Sequence, residues 1–218
     1  MPTVADVDVR LFDGLDALAA QSQAVIDFTH PDAAIAHAEV IARSGSAWVL
    51  GTTGLSPQAQ QAVERASRQV AVVQAANFST GVALLLGIAR QMAAALPVAE
   101  YDAEILEMHH RQKIDAPSGT ALAIGRAVSL GRGAEAPHES GRDGRSGPRQ
   151  PGAIGFAALR GGQVVGEHTL LFTSANEQIT LTHRAFDRRS FASGAVRAAL
   201  WTAGKLPGLY GMEDVLGL

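Results

Sequence analysis

Short apolar runs alternate with helical patterns over the first 96 residues of the chain. The runs "AVIDFT" (24–29), "AWVLGTT" (47–53) and "VAVVQAA" (70–76) predict three buried strands. Helical patterns follow each run, and the last of them ends near Pro97. A capping box at 29–32 is expected to begin the first helix, and Ser56 with Pro57 the second. Such alternation predicts a parallel sheet that is covered on both faces.

The pattern changes after Pro97. "YDAEILEMHH" (101–110) predicts a strand, and Ser118 is expected to cap a helix that runs from Gly119 to about Leu130. Residues 131–152 hold six glycines and three prolines, which favours a solvated, mobile loop. Three further strands are expected, in the segments "AIGFAALR", "VVGEHTLLF" and "QITLTHRAF". With Gly161-Gly162 as a tight hairpin, these strands would form an antiparallel sheet, followed by a terminal helix.

The composition and charge of the chain argue against some classes of function. The 218 residues carry a formal net charge of −3, and the sequence pI is about 6.1. Arg and Lys are scattered rather than clustered with aromatic residues, so we expect no nucleic-acid partner. The longest apolar stretch is interrupted by Arg90 and Gln91, so no membrane span is predicted. The chain has no cysteine, which excludes disulfides and thiolate chemistry but does not fix the compartment. Its first residues lack the order of a signal peptide, so the cytoplasm is the default expectation.

Three segments follow the ends of the predicted parallel strands, and the second and third of them have few bulky side chains. They are Phe28 to His30, Gly51 to Gly54 and Ala75 to Phe78. In open parallel sheets, ligands bind outside the carboxyl ends of the strands. Each segment alone is compatible with a tight strand-to-helix turn, but three at one edge of a sheet favour a groove of nucleotide size.

The segment "EMHHRQKIDAPSGTA" (107–121) gathers two histidines, two further cations and the start of a helix. Lys113 can donate a proton, and the free N–H groups at Ser118-Gly119-Thr120 suit a carboxylate. His109 and His110 can converge on one pocket if the strand ends there. A metal site that includes Asp115, and a pair of one buried and one exposed histidine, are the alternatives. We favour protonation of an anionic substrate that is held by its carboxylates, with no metal.

The same segment resembles the signature of the 4-hydroxy-tetrahydrodipicolinate reductase (dihydrodipicolinate reductase) family. The resemblance extends over essentially the whole chain, through "VIDFTHPDA", "GTTGL", "AANFSTGV", "GAIGFAALRGGQVVGEHTLLF" and "FASGAVRAALW". It implies an α/β fold with an incomplete Rossmann-like nucleotide-binding domain, in residues 1–76 and 190–218. It also implies an α+β substrate-binding and oligomerisation domain with a mixed or antiparallel sheet, in residues 77–189.

The resemblance further implies reduction of a cyclic dicarboxylate to tetrahydrodipicolinate, in lysine and diaminopimelate biosynthesis, by a homotetramer that uses NADH or NADPH. His109 is similar to the family's proton donor or acceptor and Lys113 to its proton donor. His110, Gly119 and Thr120 match substrate contacts, and Arg188 and Phe191 match residues that close over the cofactor. The residues that match cofactor contacts are Gly51, Thr52, Thr53, Ala75, Ala76, Asn77 and Phe78.

Family members begin with a strand and a glycine-rich phosphate loop, and this sequence has only Gly14 before Val25. An artificially short chain and a naturally shortened relative are the alternatives, and we favour the first. The residue that discriminates NADH from NADPH would lie in that segment. Two other functions remain open: a non-catalytic relative that binds a dicarboxylate or a partner, and, ranked last, a metal-dependent hydrolase.

Overall fold

The computed structural model describes residues 10–218, which form two compact units. The first comprises the chain up to Ala76 together with Ala195–Val215. The second comprises Asn77–Gly194 and the last three residues, Leu216–Leu218. The fold is α/β, with a parallel sheet in the first unit and a mixed sheet in the second.

The first unit is built on a four-stranded parallel sheet with the order β1-β2-β3-β9. Its strands are β1 (Ala24–Asp27), β2 (Ala47–Leu50), β3 (Ala71–Gln74) and β9 (Gly208–Tyr210). The three predicted strands are confirmed, whereas β9 is too short to be recognised from its sequence. Within residues 10–218, β1 is the first strand in this order and has one neighbour, and its Ile26 is exposed, so the prediction of a wholly buried strand was wrong there.

The following helices lie in this unit, and the second and third of them connect β1 to β2 and β2 to β3. They are α1 (Leu15–Ala19), α2 (Ala34–Ser44), α3 (Pro57–Ala66) and α7 (Met212–Leu216). Ser56 caps α3 as predicted, because its Oγ accepts from the N–H of Ala59. The capping box at 29–32 was wrong: a 3-10 turn, Pro31–Ala33, precedes α2, and the His30 side chain caps that turn. The indole of Trp48 lies at the centre of the unit's core, with Ile41, Leu50 and Val63, and all four are fully buried.

The second unit is built on a five-stranded mixed sheet with the order β5-β6-β4-β7-β8. Its strands are β4 (Asp102–His109), β5 (His138–Ser140), β6 (Ile154–Arg160), β7 (Gly166–Thr173) and β8 (Gln178–Ala185). β4 lies between β6 and β7 and pairs parallel to the first and antiparallel to the second. The predicted hairpin at Gly161-Gly162 was therefore wrong, because an earlier strand occupies the place between the two. β7 and β8 do pair antiparallel, as expected.

One face of this sheet is covered by α4 (Thr80–Ala95) and α5 (Gly119–Arg132). A Cβ at Gly131 would lie 2.2 Å from the carbonyl oxygen of Arg90, so α5 approaches the backbone of α4 closely at that point. Along β4, the residues that face the helices are Ala103, Ile105, Glu107 and His109. The first two belong to the apolar core, and the last two begin a polar region at the carboxyl end of the strand.

Most of residues 131–152 form the exposed loop that their composition predicts, but parts of the segment are held in place. β5 pairs with β6 in this segment, and two of its arginines form ion pairs. Arg142 and Arg149 both contact the carboxylate of Glu104 on β4, with N–O distances of 2.8–2.9 Å. After β8, α6 (Arg189–Trp201) forms the predicted terminal helix.

Candidate active site

A cavity of about 230 Å³ lies within the second unit, at the carboxyl end of β4. The strand ends at His109, as the sequence suggested, and His109 and His110 both line the cavity. Lys113 and Thr120 contribute to the same wall. The cluster that the sequence predicted is therefore assembled around one space large enough for a small ring.

His109 is held by Glu107, two residues earlier on the same face of β4. Its Nδ1 lies 2.6 Å from Oε2 of the carboxylate. The opposite ring nitrogen, Nε2, is on the side of Gly166, another residue of the cavity wall. A Cβ added to Gly166 would come within 3.0 Å of it. The absent side chain at Gly166 leaves the space next to Nε2 open.

Glu107 is itself fixed by two further groups. The guanidinium of Arg160 donates to both carboxylate oxygens, at 2.8 and 2.9 Å, and the backbone N–H of Ser118 donates to Oε1 at 3.1 Å. Burial alone would raise the pKa of Glu107, but the hydrogen bonds from Arg160 and His109 outweigh it and lower the pKa. The side chain is therefore a buried carboxylate at neutral pH.

A second histidine, His168, lies beside this pair. Its ring centroid is 5.0 Å from that of His109, and its Nε2 lies 3.0 Å from Oγ of Ser118. Burial, with a smaller contribution from the nearby charge of His109, lowers the pKa of His168 from 6.5 to about 4. The ring is therefore neutral at physiological pH and can accept the hydrogen of the Ser118 hydroxyl.

Ser118 caps α5, since its Oγ also accepts from the N–H of Ala121 at 3.2 Å. The first N–H groups of a helix have no partner within the helix, and they lie at its positive end. Thr120 belongs to this first turn and lines the cavity, and its hydroxyl accepts from the side chain of Asn77 at 3.2 Å. This end of the cavity therefore suits an anionic group.

Lys113 supplies a cation on the loop between β4 and α5. Its Nζ lies 2.7 Å from Oδ1 of Asp115, and this hydrogen bond lowers the pKa of Asp115. The ammonium group is only partly exposed and lines the cavity with the two histidines. A proton donor and a proton-accepting ring therefore face the same space.

Comparisons with known proteins show the family to which the chain belongs. The model "Dihydrodipicolinate reductase, N-terminus" matches residues 1–78, and "Dihydrodipicolinate reductase, C-terminus" matches residues 81–216. A 4-hydroxy-tetrahydrodipicolinate reductase of Gluconacetobacter diazotrophicus is 65% identical over 95% of this chain and 82% of its own length. One of Granulibacter bethesdensis is 62% identical over 98% of this chain and 83% of its own length.

The chain belongs to the dihydrodipicolinate reductase family. Its fold is also similar to a solved structure, the dipicolinate-bound dihydrodipicolinate reductase from Paenisporosarcina sp. TG-14. That likeness has a TM-score of 0.77 at 27% identity and covers 98% of this chain and 81% of the other. The family resemblance inferred from the sequence is confirmed.

Dihydrodipicolinate reductases use a pyridine nucleotide, and the first unit has features that fit one. Its strands β1, β2 and β3 end at one edge of the parallel sheet, where dinucleotides bind in such folds. The segments that follow hold the small residues Gly51, Ala75 and Ala76. A Cβ at Gly51 would lie 2.1 Å from the ring of Phe28, so the Phe28 side chain occupies the space next to the backbone of Gly51.

Not every residue that was predicted to contact the cofactor has a side chain available for that contact. The hydroxyl of Thr52 donates to the carbonyl of Thr29, whereas Thr53 is exposed. Asn77 and Phe78 belong to the second unit, where Asn77 lines the cavity and the Phe78 side chain is buried. Any contact of Phe78 with a cofactor must therefore come from its backbone.

Of the other predicted residues, Arg188 and Phe191 line the same cavity as His109. Gly119 is exposed and begins α5 outside that wall. Glu107, Arg160 and His168 were not predicted from the sequence as residues of the site. Glu107 could have been found, since residues two apart on a strand share a face. Arg160 lies on β6 and His168 on β7, and both reach the site because these strands pair with β4, which the sequence does not reveal.

Within residues 10–218, no three His, Asp or Glu side chains come together in a way that could hold a metal ion. None of the helices described there combines the length and apolar character needed to cross a membrane.

Proposed function

We propose that this chain is a 4-hydroxy-tetrahydrodipicolinate reductase, which produces tetrahydrodipicolinate in lysine and diaminopimelate biosynthesis with NADH or NADPH. The observation that carries the proposal is the shared cavity of His109, His110, Lys113 and the first turn of α5. These groups suit a small dicarboxylate, and the Paenisporosarcina relative is described as dipicolinate-bound.

The substrate is held by charge and by hydrogen bonds. One carboxylate is bound at the first turn of α5, by the hydroxyl and the N–H group of Thr120 on the cavity wall. The N–H group of Gly119, outside that wall at the start of the same turn, is a further candidate. His110 and Lys113 attract the substrate's negative charge from the adjacent wall. The positive end of the helix and the ammonium group together favour a doubly charged ligand over a neutral ring of the same size.

The protein's chemical contribution is a proton. A reduced nicotinamide, when bound, supplies the hydride. Lys113 donates a proton from Nζ to the substrate, whose 4-hydroxyl group is lost as water, and His109 exchanges a proton at Nε2, the nitrogen next to Gly166. Arg188 and Phe191, also on the wall, help to exclude water.

The nucleotide is assigned to the carboxyl edge of the parallel sheet in the first unit. Gly51, Thr52, Thr53, Ala75 and Ala76 follow the strands there, and backbone groups of Asn77 and Phe78 are further candidates. Small residues at these positions allow a flat ligand to reach the backbone N–H groups.

The second unit carries the proposed interface of a homotetramer. The face of its sheet opposite α4 and α5 includes Leu106 and Leu159, which are 38% and 48% exposed. Thr169 lies next to Leu106 on this face, and its hydroxyl oxygen is 3.1 Å from that of Thr182 on β8. A flat surface of mixed polarity suits pairing with the same surface of another copy. We place the enzyme in the cytoplasm.

The decisive test is turnover. Purified chain is mixed with freshly generated 4-hydroxy-tetrahydrodipicolinate and either NADH or NADPH, and the loss of nicotinamide absorbance is followed. We expect substrate-dependent oxidation of at least one nucleotide. Absence of oxidation with both, in a chain that still binds dipicolinate, would instead support a non-catalytic dicarboxylate-binding relative.

A further inference from the structure

The structure assigns Glu107 as the positioning residue that fixes which nitrogen of His109 carries a proton and which faces the cavity. This inference rests on the proposed function, because it concerns the proton transfer at His109. Glu107 does not line the cavity, and its side chain is 1% exposed. It therefore acts through His109 rather than on the substrate.

The geometry allows one arrangement of the neutral ring. An ionised carboxylate has acceptors and no donor, so a nitrogen 2.6 Å from Oε2 must donate its own hydrogen. Nδ1 of His109 therefore carries the proton, and Nε2 keeps its lone pair. The same carboxylate stabilises the positive ring that forms when Nε2 takes up a proton.

The neighbours of Glu107 hold it in this role. Oε1 accepts from Ser118 and Arg160, and Oε2 accepts from Arg160 and His109. These four donors come from the strand itself, from β6 and from the start of α5. The carboxylate therefore joins the ring of His109 to the cap of the helix that forms the anion-binding end of the cavity.

The substitution Glu107→Gln reverses the hydrogen bond to His109. The amide carbonyl is expected at the Oε1 position, because both partners there, the N–H of Ser118 and the guanidinium of Arg160, can only donate. This places the NH2 group opposite Nδ1 of His109, the one partner of Glu107 that can become an acceptor. An NH2 group can only donate, so Nδ1 must become an acceptor and the proton must move to Nε2. The nitrogen that faces the cavity then has no lone pair in the neutral ring.

The test combines ring NMR with kinetics. Long-range ¹H–¹⁵N spectra at neutral pH, assigned with a His109→Asn variant, report the tautomer of His109 without any turnover. We expect the Nδ1–H form in the wild type and the Nε2–H form in Glu107→Gln. We also expect kcat of Glu107→Gln to be about 100-fold lower than that of the wild type, because proton transfer typically contributes a factor of this size. KM for the substrate should change little.

Glu104→Gln is the matched control. Glu104 is another carboxylate of β4 bound by two arginines, but it lies on the opposite face. The Glu104→Gln substitution should leave both the His109 tautomer and kcat unchanged.

An Nε2–H tautomer in the wild type would overturn the inference, even if Glu107→Gln failed to fold. So would a folded Glu107→Gln variant with an unchanged tautomer and normal kcat. A wild-type chain without turnover would contradict the proposed function, and the NMR result would still decide the role of Glu107.

Discussion

Nε2 of His168 lies 3.0 Å from Oγ of Ser118, the residue that caps α5. This contact joins a buried imidazole on β7 to the helix terminus proposed to bind the substrate. Since burial lowers the pKa of His168 to about 4, the contact is made by a neutral ring at physiological pH. Protonation of the ring would put a charge in a site that excludes water.

His168 is therefore expected to make the protein sensitive to acid. Its pKa is lower in the folded chain than in the unfolded one, so the unfolded chain binds the proton more readily between about pH 4 and 6.5. Stability is then complete above this window and falls as pH drops through it. Between pH 7 and pH 5, the wild type should lose about 2 kcal/mol more unfolding free energy than His168→Gln.

Urea unfolding of both proteins across this range measures that difference. Other groups titrate in both proteins, so the comparison isolates the contribution of His168. Parallel curves of unfolding free energy against pH would show that His168 is not the group responsible.

Gly166 should be required for access to His109. A methyl group there would come within 3.0 Å of Nε2, while the backbone of Gly166 suits any residue. We expect Gly166→Ala to reduce kcat/KM about tenfold or more, because one methyl group too many in a packed site costs about 1–3 kcal/mol.

Gly161→Ala is the control for this prediction, because its methyl group would meet only the flexible end of Met108, at 3.0 Å. Steady-state kinetics and thermal unfolding of both variants check the prediction. Equal activity in the two variants would mean that the space beside Nε2 is not used.

The first unit offers an independent test at Asp27, which ends β1. Its buried carboxylate accepts from His37 at 2.8 Å and from the indole of Trp48 at 3.2 Å, and it also binds Thr29. Asp27→Asn should cost about 1–3 kcal/mol of unfolding free energy, because an amide cannot accept from all these donors.

The exposed Asp32, changed to Asn, should alter the unfolding free energy by less than about 0.5 kcal/mol. Denaturant unfolding compares the two variants. A similar small effect for both would contradict the structural role given to Asp27.

Local sequence patterns were sufficient to predict most helices and strands and part of the candidate site. Ser56, Ser79 and Ser118 cap the helices that the sequence predicted, since capping depends on neighbouring residues alone. The turn at Gly161-Gly162 misled because local sequence cannot show that β4 occupies the place between β6 and β7. For the same reason His168 was missed: it reaches the site through the pairing of β4 with β7, where it lies opposite Glu107.

The central claim is that the cavity around His109, Lys113 and the start of α5 binds a dicarboxylate. Calorimetric titration with pyridine-2,6-dicarboxylate tests it most directly, in the wild type, in Lys113→Ala and in Lys205→Ala, which removes the chain's other lysine. We predict binding to the wild type and to Lys205→Ala, and binding about tenfold or more weaker to Lys113→Ala, as expected for a lost charge-assisted hydrogen bond. No binding to the wild type, or equal affinity in all three, would contradict the claim.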